Sequence, residues 1–206
     1  MRRGTHGAVS ALLALCMAAP LGLLAQGSDP LAQLDATTRH VVQVLMDSAR
    51  SEGLPTQPIL SKAQEGISKH VDGPRIAAAV RTVFLSLRGA RTSLGAQAAP
   101  EELKAGAFAL QAGIPEGALQ GLHKASHGKS VTVPLIVLTD LVTRGVPSDT
   151  ASNAILQLWT RGAGDADLLG LPKAVGQDIL SGAAPGDALL KRARTIPLRP
   201  PGKGSE

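Results

Sequence analysis

The chain has 206 residues, of which 44% are hydrophobic, yet it holds two Phe, one Trp and no Tyr. An apolar mass built from Leu, Ala, Val and Ile argues against a β-sandwich, against base-stacking nucleic-acid platforms and against sites built on aromatic rings. The net charge of +5 sits at the two ends: residues 28–186 carry 14 basic and 14 acidic residues, a poor balance for a nucleic-acid-binding domain.

The first element is an export signal. Arg2 and Arg3 precede an apolar run from Ala8 to Ala19, Pro20 interrupts it, and small residues follow up to Gly27. A basic start, an apolar stretch and small residues before a polar segment predict a signal peptide over 1–27, cleaved after Gly27 or after Ala25. The apolar run is short for a membrane span of ~20 residues, so no transmembrane span is expected after cleavage. Cys16 is the single cysteine. An alternative is a lipoprotein anchored at Cys16, although the residue before it, Leu15, is larger than such sites favour. Cleavage near Gly27 leaves a chain without thiol or disulfide chemistry.

Residues 28–194 read as one all-α, helical-repeat-like domain. A Gly-apolar-Pro pattern recurs as Gly53-Leu54-Pro55, Gly113-Ile114-Pro115 and Gly145-Val146-Pro147, with degenerate copies at Gly162 and Gly182. Gly takes the left-handed conformation that ends a helix, the apolar residue folds back, and Pro opens the next helix. Steps of 32, 17 and 20 residues from Gly113 onward are the size of helices and hairpins in α-solenoids. About eight short helices are expected, as an irregular α-solenoid or helical bundle.

In chain order, Asp29 should cap a helix over 30–52 and Thr56 one reaching about His70. Asp72 should cap 74–94, ended by Gly95. Further helices are expected over 100–112, 115–127, 133–144, 147–161 and 165–181, the last bent or broken at Pro172, and over 185–194. In the 74–94 helix, Ile76, Val80, Val83, Leu87 and Leu94 form one stripe. The best strand candidate, 131–138, contains Pro134 and reads better as a buried helix. Residues 195–206 are expected to be a disordered basic Pro/Gly tail.

Few residues point to chemistry. His123 and His127 stand four apart and would share a helix face, making them the weak metal candidates. No His-Glu-x-x-His motif supports them, and two polar residues in a last helical turn explain them as well. The segment 123–130 ends like a phosphate-binding loop, but His123 replaces its first Gly and no strand precedes it. Ser126 and Lys129 fit Ser-x-x-Lys without its partner motifs. Asp165 and Asp167 begin like a calcium loop, with Leu169 at a ligand position and Gly176 in place of the bidentate Glu. Lys62, Glu65 and Lys69 are spaced as a solvated ion-paired face. Arg81, Arg88 and Arg91 lie within about 80° on their helix by its 3.6-residue period, the best interaction surface in the body.

The sequence therefore predicts a non-catalytic exported interaction or structural protein of the bacterial cell envelope, periplasmic or extracellular, with no cofactor. Its partner would be an envelope protein or an anionic polymer, with no specific nucleic acid. One alternative is a metal-binding protein or enzyme centred on His123 and His127. Another is a polyanion binder using Arg81, Arg88, Arg91 and the basic tail.

Overall fold

The computed structural model describes residues 30–196. The expected signal segment, Cys16 and residues 197–206 of the expected tail lie outside the described residues. The described chain is all-α, with nine helices and no strand. In order they are α1 (Ala36–Ser51), α2 (Gln57–Ser68), α3 (Gly73–Leu94), α4 (Pro100–Gln111), α5 (Glu116–Ala125), α6 (Thr132–Thr143), α7 (Ser148–Thr160), α8 (Asp165–Leu180) and α9 (Pro185–Ala193).

Most helix ends follow from the junction chemistry. Gly53, Gly113, Gly145, Gly162 and Gly182 all have φ between 66° and 96°. At each, the following residue's N–H reaches back to a carbonyl five residues earlier, as in Leu54 to Ala49 at 2.8 Å and Val146 to Leu141 at 3.1 Å. These are Schellman caps, and they satisfy carbonyls that a helix end otherwise leaves open. The apolar residue after the glycine then turns inward: Leu54, Ile114, Val146 and Ala163 are all buried. The sequence shows no glycine at the α2–α3 junction. There His70 takes the left-handed position at φ 52°, and Val71 closes the same bond to Gly66 at 3.0 Å.

Several boundaries differ from expectation. The first helix begins at Ala36, not at Pro30, because Asp35 provides the cap: its carboxylate accepts the Thr38 N–H at 2.9 Å. Before it, Leu31 and Leu34 turn into the core, and the Arg39 guanidinium donates to the carbonyls of Leu31, Ala32 and Leu34 at 2.9–3.2 Å. Thr56 occupies the cap position of α2 without a side-chain bond. Pro115 and Pro147 sit one residue earlier than predicted, at the caps of α5 and α7, with extended ψ. Helix α8 runs unbroken through the buried Pro172, which also removes the calcium-loop reading of its first turn. The candidate strand segment belongs to helix α6, whose Pro134 lies in the first turn, where a missing N–H costs little.

The substantial helix pairings join elements one or two apart in the chain. Helices α1, α3, α5, α7 and α9 form one row, each packed on the next, and α4, α6 and α8 form a second. This neighbour-to-neighbour pattern fits an irregular α-solenoid or helical bundle. Helix α3 supplies its buried stripe as the sequence predicts: Ile76, Val80, Val83, Leu87 and Leu94 are at most 4% exposed. Helix α6 is packed by α4, α7 and α8 and is apolar nearly all round. The buried side chains form two clusters, one centred on α1–α3 and one on α5–α9, and Ala98 and Leu110 pack against both. At the C-terminal end, Arg192 of α9 grips Asp178 of α8 with two bonds of 2.8 and 2.6 Å. The Arg192 guanidinium holds the Asp178 carboxyl below the usual carboxylate range. Among the described residues, no helix is long and apolar enough to cross a membrane.

Candidate functional site

The arginine face of α3 is largely engaged within the chain. Arg88 pairs with Glu52 at 3.0 Å and lies 5.7 Å from the centre of the Phe84 ring. Arg91 donates to the carbonyls of Gly53, at 2.9 Å, and Ala96, so it ties the α1–α2 turn to the α3–α4 linker. Arg81 remains exposed on the surface. Glu52 lies 36 residues from Arg88 in sequence, beyond the reach of any local pairing rule.

The His123–His127 pair does not form the expected geometry. Helix α5 ends at Ala125, so His127 lies beyond it, in the left-handed region at φ 48°, followed by Gly128 at φ 83°. Two successive left-handed residues swing the chain away from the helix axis and leave the imidazoles off a common face. Both are exposed, and each lines a different cleft. Among the described residues, no three potential metal ligands cluster.

Those two clefts lie at the C-terminal ends of odd-numbered helices, and a third adjoins them alongside α7. The first, about 460 Å³, lies between the ends of α3 and α5 and is lined by Gly95, Glu102, His123 and Lys129. The second, about 260 Å³, lies between the ends of α5 and α7 and is lined by His127, Lys129, Trp159 and Arg161. The third, about 400 Å³, lies between α7 and α9 and is lined by Asn153, Gln157, Arg161 and Arg194. Ser126 and Lys129 line both the first and the second, and Arg161 lines both the second and the third, so neighbouring clefts adjoin through shared side chains.

One carboxylate, Glu102, stands among the residues lining these clefts. Both of its oxygens are occupied. Oε2 accepts the Ala99 N–H at 3.0 Å, closing the start of α4, and Oε1 accepts the Val131 N–H at 2.9 Å, at the cap of α6. Partial burial alone would raise its carboxyl, but the Val131 and Ala99 N–H groups, the Ser130 hydroxyl and His123 outweigh that and hold it below the usual range. Glu102 is thus a structural clamp that keeps its negative charge, and the three linings together set three fixed cations, Lys129, Arg161 and Arg194, against that one carboxylate.

Sequence reasoning singled out His123 and His127, and Lys129 through its partial phosphate-loop and Ser-x-x-Lys resemblances, but not Trp159, Arg161 or Glu102 as cleft residues. A signal for the edge exists in hindsight. Arg161 and Lys129 flank junction glycines, Gly162 and Gly128, and such junctions all mark helix C-termini. Comparison with protein-family models, with curated proteins and with solved structures returned no match to this chain.

Proposed function

We propose that this chain is a non-catalytic, exported binding module whose solenoid edge holds an anionic polymer of the cell envelope. The observation that carries the reading is the series of adjoining clefts lined by His123, His127, Lys129, Arg161 and Arg194, whose linings hold the single carboxylate Glu102, itself engaged by two backbone N–H groups. Such a track suits a linear anion better than a compact substrate, because successive charges meet successive cations. The basic start and apolar run of residues 1–27 support export. A metal or enzymatic reading centred on His123 and His127 gains nothing from two side chains that line separate clefts.

The test is retention of the chain on an anionic matrix, followed by a salt gradient. Binding that weakens steeply with salt is expected, and the double variant Arg161→Gln/Arg194→Gln should elute at clearly lower salt. Passage through the matrix at low salt would overturn the reading. Equal elution of the wild-type and double-variant chains, with retention lost on deleting 197–206, would assign binding to the tail instead. Recovery of an acidic protein, and no polymer, from native envelope would replace the polymer with a protein partner. Amino-terminal sequencing of the native protein should begin at Ser28 or Gln26; an intact Met1 would refute export by cleavage.

A further inference from the structure

We infer that the cleft between the ends of α5 and α7 is a binding site for a phosphate-type dianion, the point of strongest grip on the proposed edge. This rests on the anionic-ligand reading above and adds the chemistry of the group bound. The cleft is lined by Lys129, Arg161, His127 and Trp159, with no carboxylate in its lining. None of the three basic side chains has a hydrogen-bond or ion-pair partner among the described residues. Elsewhere cations are mostly matched: Lys62 and Lys69 on Glu65, Arg88 on Glu52, Arg144 on Asp140 and Arg192 on Asp178. The indole Nε1–H of Trp159 is buried and also lacks an acceptor.

The charged lining side chains that lack partners, the Lys129 ammonium and the Arg161 guanidinium, are donors only, and the His127 imidazole can donate beside them. Their complement is a ligand made of acceptors. Two fixed cations, Lys129 and Arg161, match the charge of about −1.5 to −2 on a phosphate monoester at neutral pH. A single carboxylate would leave one of them uncompensated. The guanidinium fork fits two phosphate oxygens at once.

The helix ends oppose an anion only weakly. Each C-terminus contributes about half a negative charge, and at α7 the carbonyls of Leu158 and Trp159 are already taken by the N–H groups of Ala163 and Gly162 at 2.9 and 3.0 Å. The α5 end departs from the recurring Schellman cap. Its His127 and Gly128 are both left-handed, and their N–H groups donate to no carbonyl of the described chain. A non-glycine residue is disfavoured there, and this turn brings Lys129 into the cleft lining. The neighbouring clefts suit phosphate less well, one holding Glu102 and the other the carboxamides of Asn153 and Gln157.

Trp159 is the single tryptophan of the chain, so its fluorescence reports this cleft directly. Full-length protein should be titrated with inorganic phosphate, and with sodium chloride at matched ionic strength. A saturable change with phosphate and none with chloride is expected. Lys129→Met and Arg161→Gln keep most of the side-chain stem and should each weaken binding about ten-fold, the loss of one charge-assisted contact, with unchanged helical circular dichroism. Trp159→Phe keeps the ring plane and removes the N–H; calorimetry should show weaker phosphate binding for it. A chain-length series of polyphosphate distinguishes the source: affinity that climbs with length marks a polymer, and constant affinity per terminal phosphate marks a free phosphate. Absence of any phosphate-specific response, or variants that bind as wild type, would overturn the site. In that event retained salt-sensitive binding to the anionic matrix would leave the broader proposal standing, whereas loss of both would remove both.

Discussion

Glu102 joins two helix starts, through the nearby Ala99 N–H and through the Val131 N–H, 29 residues from Glu102 in sequence. Glu102→Gln keeps one carbonyl oxygen and loses the charge, so one of the two bonds should fail. Hydrogen bonds to charged groups are worth more than neutral ones, and the loss should be about 1–2 kcal/mol, read from urea unfolding. The sign of the pH effect follows from its lowered folded carboxyl. The stabilisation is present above the ordinary carboxylate range and disappears as pH falls through the folded value. The Gln variant should therefore show a flatter acid limb of stability against pH than the wild type. Glu65 offers a separate check: the side-chain hydrogen bonds of Lys62 and Lys69, at 2.7 and 2.6 Å, pull its carboxyl down to about 2. An NMR titration should find this carboxyl still ionised at a pH where ordinary glutamates have protonated, and Lys62→Met should return it toward the usual range.

At the scale of the element, the meaning of a glycine depends on which side of a helix end it occupies. Gly145 has φ 91°, a conformation that a Cβ penalises. Gly145→Ala should destabilise the chain by about 1 kcal/mol. Gly170 is exposed within α8, and a Cβ there meets nothing within 4 Å. Gly170→Ala should stabilise by about 1 kcal/mol through helix propensity. The same substitution with opposite signs, measured by chemical denaturation, tests the assignment of junction against interior. Two changes in the same direction would contradict it.

For the whole molecule, the governing fact is that helices pair with near neighbours in the chain and that the two buried clusters meet through Ala98 and Leu110. Stability in such an array is close to a sum of local interfaces. Leu138, fully buried in the cluster of α5–α9, should cost about 2–5 kcal/mol on Leu138→Ala. Hydrogen exchange should then accelerate first in α6 and the helices packed on it, α4, α7 and α8, while α1 and α2 keep their protection. Equal acceleration in α1 and α2 would show instead that the two clusters open as one unit.

The all-α architecture and most helix ends were legible because their causes are local. Asp72 caps α3 through the Arg75 N–H, Gly95 and the Schellman glycines take positive φ, and the α3 stripe has helical spacing. Propensity, capping and periodicity act within a few residues of the chain, so a one-dimensional reading captures them. His70 and Asp35 escaped that reading because a left-handed histidine and a cap behind a buried turn depend on what Leu31, Leu34 and Val71 pack against or bond to. The site escaped it more completely. Lys129 lies in partial motifs that name no partner, Trp159 and Arg161 lie in none, and their meeting depends on α5 and α7 ending side by side. Local rules along the chain set the helices and the stops between them. Which stops became neighbours, and so where unpaired cations gather around one indole, was decided by the packing of the helix rows, because burial of apolar faces brings together groups that no local rule relates.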